Sequence, residues 1–469
     1  MIINGLRLNQ ADEHLYHELI RLGYPEDRIR VGYRISQNYR SDFTIMAPGV
    51  SENPLAVFEV LSYSRRFPMG RFKSYAYEVA ERFTCSFYLY VERENSFDVM
   101  VFRDGSFVQT ELPAYSDILT EIIGNVQYPS KLKLQNFTVF KSASFDFGRK
   151  VNVFIGANGT GKTHILKLMY SIFKTLSYGK TTDSLNGSEF EYVSNQVFKI
   201  KNKSDLVSRG AVREFSIEFS MQKEFEREDK IFSYGGKKLV DHDKFFSKQL
   251  IVPSVVFLPT RELLSIYPGF TSIFNTYKEK MPYDQTYYDT VSLLGLPDLD
   301  SQNETINEVC SVIENAIGAT FYLDSQTDRF MMQKKGNKKP FEVDMAAEGW
   351  RKLGEILQLL KVGAIAPGSI LFWDEPEANQ NPALIKVLAQ VIAKLGSIGV
   401  QIFLTTHSLF LLRELDILAK SQYHLDGIRY FNFPQAGIVE TGASPEDLGD
   451  ILTLNESIAQ SERFMQMED

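Results

Sequence analysis

The segment GANGTGKT, Gly156 to Thr163, constrains this chain more than any other. An apolar run, VNVFIG, leads into it, and Ile165, Leu168, Ile172 and Leu176 recur behind it at helical spacing. An apolar strand that enters a glycine-rich loop and leaves as a helix is the P-loop pattern. Glycines there let successive backbone N–H groups close on phosphate oxygens at a helix N-terminus. In that pattern Lys162 reaches the β- and γ-phosphates and the Thr163 hydroxyl ligates Mg²⁺. Gly156, Asn158, Gly159, Thr160, Gly161 and His164 complete the expected cradle. A glycine turn that binds nothing would need neither flanking element, so the segment reads as a nucleoside triphosphate site.

A second segment, SILFWDEPEANQNP, supplies the complement. Ile370–Trp373 reads as a buried strand with Asp374 at its carboxyl end, placed to hold the magnesium shell. Glu375 follows, placed to orient and deprotonate an attacking water. Alone, such an Asp-Glu pair is equally a polar exit from the core. A helix over Pro382–Leu395 and a strand, VQIFLTT, then lead to His407, which would meet the γ-phosphate or cap the next helix. Upstream, DMAAEGWRKLGEILQLL opens a helix at Ala346–Gly349 with Leu353, Ile356, Leu357 and Leu360 in one apolar stripe.

Composition bounds the rest. At 469 residues, 44% hydrophobic and 23% charged, the chain has the make-up of a globular protein of two or three domains, not of a disordered or collagen-like one. Its 51 Lys and Arg against 59 Asp and Glu leave a net charge of −8, shared evenly by the parts before and after Pro129. Neither part would grip nucleic acid by charge alone. The basic runs KIKNK and KKGNKK are flanked by Gly and Asn and read as solvated loops that could touch phosphate. Cys85 and Cys310 exclude a disulfide framework or a cysteine-rich zinc site. No signal-peptide core opens the sequence, and the apolar passage at Ile356–Trp373 is broken by Lys361, Gly363, Pro367 and Gly368. The expectation is a cytoplasmic protein without a membrane span.

The chain reads as two domains. Residues 1–128 form a small α/β domain: a helix at Ala11–Leu22, strands in YRSDFTIMA, LAVFEVLS, SFYLYVE and FDVMVF, an Asp-Gly turn, and a second helix in RFKSYAYEVAERF. Gly124–Asn125 and Tyr128–Pro129–Ser130 read as a linker. Residues 129–469 carry the nucleotide motifs, with an insertion around 177–250.

The P-loop with Asn158, then AAEGWRKL, then DEPEAN, then TTH, in that order, resembles the ABC-type ATPase heads of the SMC, Rad50 and RecF group. That resemblance implies an α/β ABC-type head binding and hydrolysing ATP with Mg²⁺, in which Gly349 and Arg351 close on ATP held by a second copy. It implies a homodimer or higher homo-oligomer sandwiching the nucleotides. Two positions depart from the family pattern: Ala347 stands for the signature serine, and Gln380–Asn381 for Leu-His before Pro382. FLPTRELLSIYPGF is similar to a segment of compact ABC ATPases from anti-phage operons of the OLD, Septu and PARIS types. There Arg261 and Glu262 would couple nucleotide state to the insertion, or simply pair at a strand exit. No long heptad run is present and no TOPRIM-like acidic motif follows His407. The resemblance implies an ATP-driven sensor of anti-phage defence controlling a separate effector protein, with an ATP-dependent nuclease or a RecF-like DNA-repair ATPase as alternatives.

The front domain resembles the PD-(D/E)xK nuclease fold, especially the N-terminal region of type I restriction motor subunits. Asp42 and Glu59 on neighbouring strands carry the likeness and would form a second metal site, with Glu13 as a third ligand. The family's lysine is Leu61 here, on the same strand face as Val57 and Glu59, and Lys73 is the nearest substitute. The readings are a restriction-endonuclease-like domain kept for docking DNA or protein, an active nuclease, or an unrelated scaffold.

Overall fold

Asn9 and Asp12 start the first helix by capping each other's backbone N–H, at 2.9 and 3.2 Å. The computed structural model describes the chain except at residues 1, 4–5, 25, 27–28, 37–38, 47–53, 62–68, 83–84, 95, 104, 115–126, 179–186, 212–213, 224–229, 236–237, 242–253, 300–303, 338, 421–426 and 468–469. Two compact units emerge, one chiefly Met1–Val126, the other Gln127–Lys244, Val252–Asp298 and Gln302–Asp469.

In the first unit, α1 (Gln10–Arg21) precedes strands β1 (Ile29–Val31), β2 (Phe43–Met46) and β3 (Pro54–Leu61). Then come α2 (Met69–Arg82), β4 (Ser86–Glu92), β5 (Phe97–Arg103) and β6 (Ser106–Thr110). The six strands lie in chain order in one sheet, antiparallel except β3 with β4, which are parallel because α2 crosses between them. Alternation along β3 sends Ala56, Phe58 and Val60 to the core shared with Leu15 and Leu19 of α1, and Val57 to that of Phe72, Ala76 and Val79 of α2. The strand expected from Tyr39 begins only at Phe43. Its first residues instead pair irregularly with the segment after β1, through an isolated Arg34–Arg40 bridge, with Ile35 N and Ser36 N donating to Tyr39 O and Ser41 N to Tyr33 O. Asp42 therefore sits at the mouth of β2, not within it.

The second unit begins with β7 (Gln127–Phe137), which absorbs the Tyr128–Pro129–Ser130 segment expected as linker. Tyr128 is buried under the Arg149 guanidinium, 3.0 Å from its ring, and a register shift at Ser220/Met221 leaves Ser130 as a bulge beside Pro129. Gly124–Asn125 lie outside the described residues. β8 (Phe140–Asp146), β9 (Val151–Gly156) and α3 (Lys162–Tyr178) follow. β10 (Ser216–Lys223), β11 (Lys230–Gly235) and β12 (Lys238–Asp241) fall in the expected insertion, yet they extend one five-stranded antiparallel sheet, ordered β8-β7-β10-β11-β12.

The remaining elements used below are β13 (Val255–Leu258), α4 (Glu348–Lys361), β14 (Ile370–Asp374), α5 (Pro382–Ser397), β15 (Gln401–Thr406), β16 (Ile428–Phe433) and β17 (Glu440–Gly442). A six-stranded sheet runs β13-β14-β15-β9-β16-β17, parallel up to its antiparallel edge β17. β9 and β15 are buried along their whole length, as expected of parallel strands covered on both faces. Val151, Val153 and Ile155 join the core with Leu353, Ile356 and Leu357 of α4 and Leu388 of α5. The opposite face is aromatic: Phe154 stacks on Phe431 and Phe403, and Phe145 of β8 packs on Phe154, Phe431 and Phe433. Among the described residues no helix is long and apolar enough to cross a membrane.

Asn152 is a polar residue of that aromatic face. Fully buried, it accepts from Gly148 N at 2.7 Å and donates to Gly148 O at 2.9 Å and Ile402 O at 3.3 Å, joining β9 to β15. Replacing it by Ala orphans the Gly148 amide, so Asn152→Ala should destabilise this unit by about 1–3 kcal/mol. An exposed loop control, Asn158→Ala, should stay within about 0.5 kcal/mol. Urea unfolding followed by the fluorescence of Trp350 and Trp373, both in this unit, reads the difference.

Candidate functional site

The carboxyl ends of β14, β15 and β9 lie side by side, with Asp374 opposite Thr405 and Thr406 opposite Ile155. In parallel α/β sheets this edge is where ligands bind. Gly156, Gly159 and Gly161 leave β9 with φ of 147°, 77° and 104°, values that L side chains rarely adopt. A Cβ on Gly161 would lie 2.6 Å from the Phe140 ring, and one on Gly156 would lie 2.5 Å from Phe433 O. The loop thus packs tightly beneath while Asn158 and Gly159 stay exposed at its tip. Thr160 is buried and donates to Ala157 O at 2.8 Å. The His164 side chain turns away to pack edge-on against Phe198, and burial lowers its pKa, so its expected part in the cradle falls to its backbone N–H.

Lys162 is buried, and its ammonium donates to Gly156 O and Ala157 O, each at 2.8 Å. Burial pushes it down to about 8, against the opposing pull of Glu375, Asp374 and Glu377.

Asp374 gathers three hydroxyls. Oδ1 accepts from Thr405 at 2.6 Å and Thr163 at 3.0 Å, and Oδ2 accepts from Thr260 at 3.3 Å. A threonine hydroxyl at a helix start touching a carboxylate is a hard-oxygen donor pair of the kind Mg²⁺ takes, the remaining positions being filled by phosphate oxygens and water. Thr163 and Asp374 fit that ion. Glu375 lies at φ 48°, a strained setting for a non-glycine residue, worth about 1–3 kcal/mol. Its N–H donates to Thr405 Oγ1 at 3.0 Å, and its carboxylate lies 3.4 Å from His407 Nε2. Burial, then the nearby Lys162 charge, lowers the His407 pKa despite Glu375 and Asp374, so the ring is neutral at pH 7.

Sequence reasoning missed Thr260, Thr405 and Glu377. Glu377 Oε1 accepts from Thr406 Oγ1 at 2.7 Å and His407 N at 3.0 Å, and burial raises its pKa. The available signal was the repeated acid in DEPEAN. The threonines lie in the quoted segments TTH and FLPTRELL, but nothing in either marks Thr260 or Thr405 as a partner of Asp374.

Gly349 and Arg351 lie on the first turn of α4, where Ala347 stands at the N-cap with no side-chain hydrogen bond. Gly349 is buried against α5, and a Cβ there would meet Leu384 Cδ1 at 2.9 Å. Arg351 pairs with Glu262 at 3.1 Å. Both are engaged within their own chain. Glu262 also accepts from Ser265, while Glu355 behind it is buried and held well above the usual carboxylate range by that burial and the Glu262 charge. Asn381 caps α5 by accepting from Leu384 N at 3.0 Å, which gives the Gln380–Asn381 departure a local role. Arg261 is exposed.

In the first unit Asp42 and Glu59 do meet. Asp42 Oδ2 accepts from Val60 N at 2.9 Å, while Glu59 Oε1 accepts from Asp42 N at 3.0 Å and Tyr39 Oη at 2.6 Å. Tyr39 stacks on Tyr75 at 4.0 Å. Among the described residues no group of three or more His, Cys, Asp or Glu could hold a metal ion, so Glu13 does not complete the expected cluster. Leu61 is half-buried on the α2 side and Lys73 is exposed on α2.

Glycine loop, lysine, threonine and strand-end carboxylate define a P-loop nucleotide site. Comparison with known proteins agrees. Residues 130–342 match the family model "AAA ATPase domain", and residues 273–413 match "AAA domain, putative AbiEii toxin, Type IV TA system". Both matched stretches lie chiefly in the second unit. The DNA replication and repair protein RecF of Flavobacterium johnsoniae is 30% identical over 132 residues, 27% of this chain and 33% of that protein. RecF of Francisella tularensis subsp. novicida is 43% identical over 51 residues, 11% of this chain and 15% of that protein. The chain therefore spans a third or less of these relatives. Among solved structures, the SmcHead bound to the C-winged helix domain of ScpA aligns over 68% of this chain and 99% of that one, at 13% identity and TM-score 0.43. The recombination mediator protein RecF aligns over the same shares, at 13% identity and TM-score 0.34.

Because Lys162 is pushed down to about 8 in the free protein and triphosphate oxygens would restore its charge, ATP binding should take up a proton above that pH. Affinity should then fall by up to roughly tenfold per pH unit from about 8 towards the ordinary lysine value near 10. Calorimetric titration at about pH 8.5 in buffers of differing ionisation enthalpy measures the uptake, which Lys162→Met should abolish.

Proposed function

We propose that this chain is an ABC-type ATPase that binds and hydrolyses ATP with Mg²⁺, closes into a homodimer around it, and serves as a sensor in anti-phage defence that controls a separate effector protein. The observation that carries the ATPase reading is the constellation at one sheet edge: Thr163, Asp374, Glu375 and His407 within a few ångströms of one another. Mg²⁺, held by Thr163 and Asp374, would screen the charge gathering on the β- and γ-phosphate oxygens. Lys162 neutralises the same oxygens, Glu375 orients and deprotonates the attacking water, and neutral His407 donates towards the γ-phosphate.

The defence reading rests on the FLPTRELLSIYPGF segment and, separately, on the family model that matches residues 273–413, after that segment, whose description names a "putative AbiEii toxin, Type IV TA system". A RecF-like DNA-repair role is the second reading, favoured by the curated relatives. For the first unit, the order α1-β1-β2-β3-α2-β4 with β4 parallel to β3 supports a restriction-endonuclease-like domain. Its acids, bonded to backbone amides and Tyr39, support docking of DNA or protein without cleavage.

Glu375→Gln with ATP should shift the mass of the particle from monomer to dimer, whereas Lys162→Ala should stay monomeric. Light scattering that finds equal mass with and without ATP in Glu375→Gln contradicts nucleotide-driven pairing. Incubated with duplex or single-stranded DNA, Mg²⁺ and ATP, the chain should leave the strands uncut. Cleavage lost in Asp42→Ala and Glu59→Ala would instead establish the nuclease.

A further inference from the structure

The turn that carries Glu375 is held from two sides. Both its ends, Glu375 at φ 48° and Asn379 at φ 62°, are non-glycine residues in the left-handed region. Ala378 N donates to Glu375 O and Gln380 N to Glu377 O, which shapes the turn but does not anchor it. One anchor is the end of β15, through Thr406 and His407 on Glu377. The other is the first two turns of α4. The Lys352 ammonium donates to Ala378 O at 2.8 Å, and Glu348, four residues before it on the same helix face, accepts from Asn379 Nδ2 at 2.8 Å.

Lys352 is only 4% exposed, with Glu355, Glu348, Glu377 and Glu375 as the acids that keep its charge tolerable there. A buried cation is costly to keep unless it is paired or hydrogen-bonded, and the contact seen for this one is a backbone carbonyl of the strained turn. Packing alone would be met by a Met or Leu on this helix.

We infer that Lys352 is a positioning residue for ATP hydrolysis: α4 holds the Glu375–Asn379 turn through it, and so sets the place of the glutamate that orients water. The inference rests on the ATPase reading and deepens it. It also makes α4 a mechanical link, since the helix whose first turn would face a second copy's nucleotide grips the catalytic turn of its own chain.

The test compares wild type, Lys352→Met and Asn379→Gly, the last removing the Glu348 tie at an exposed position whose φ glycine accepts. Sites competent to bind nucleotide are titrated with a fluorescent ATP analogue, and kcat is expressed per titrated site. The expected result is kcat lowered about tenfold to a hundredfold in Lys352→Met, a smaller loss in Asn379→Gly, and KM for ATP within about twofold. In the double variant the losses should be less than multiplicative, because both ties hold one turn. A kcat per site within about twofold of wild type in both variants, even with a lowered Tm, makes Lys352 a packing residue and overturns the inference while the ATPase reading stands. Wild-type chain that binds ATP analogue nowhere removes that reading, and this inference with it.

Discussion

Everything at the sheet edge depends on the hydrogen bond from Thr405 to Asp374, at 2.6 Å between register partners on neighbouring parallel strands. The Thr405 oxygen donates to one acid and accepts the N–H of the next, so a single hydroxyl orients Asp374 and pins the backbone of Glu375. Such an arrangement survives only if the register cannot slip, because a shift of one residue in either strand would turn its side chain to the face opposite its partner's. Phe372 of β14, stacked on Phe403 of β15 at 5.2 Å, helps hold that register, and the Asn152 bond to Ile402 fixes β15 against β9. The geometry of the site is thus a consequence of packing within its own sheet.

The two acid pairs of the chain show how different partners make different sites. Asp374 is surrounded by threonine hydroxyls from three elements, and a hydroxyl can rotate to accept from water or offer a lone pair to a cation. Asp42 and Glu59 face backbone N–H groups, which donate in one fixed direction and cannot ligate a metal. Tyr39 adds a further donor, its pKa raised beyond the usual range by burial and by the Glu59 charge, so it stays protonated and bound to Glu59. The first pair is free to exchange partners with an incoming ligand. The second knits β2 to β3.

The P-loop, the Asp374 strand end and the apolar stripe of α4 were legible in the sequence because each is written within one element: glycine spacing, an apolar run, a helical period. Thr260, Thr405 and Lys352 were not, since what distinguishes them is the register or helix packing that brings distant segments together, and nothing local marks a threonine or a lysine for that role. Tyr128–Pro129–Ser130 has turn composition, but a ring buried under Arg149 and a bulge beside the proline let the ladder override it. The same tertiary override turned part of the expected insertion into strands of a sheet. Glu13 failed as a metal ligand for the converse reason: helix position says which side of α1 a residue takes, not whether a strand-end carboxylate points towards it.

The three residues that resemblance assigns to a second copy's nucleotide have occupations at home. Ala347 offers no hydroxyl at the start of α4, Gly349 is small because α5 lies against it, and Arg351 is paired with Glu262. If a second copy closes over the P-loop, its side chains bring little to the γ-phosphate unless Arg351 leaves Glu262. What α4 can offer without rearrangement is its uncapped N-terminal amides and the positive end of its dipole, worth about 0.3–1 kcal/mol for an exposed anion. Most of the closure energy would then have to come from protein surface and from the triphosphate charge already neutralised by Lys162. Breaking the Arg351–Glu262 pair would expose a buried carboxylate next to Glu355, so a cost stands between the free chain and a side-chain contact across the dimer. That cost falls on the Arg351 contact alone, and the backbone amides at the start of α4 are free of it.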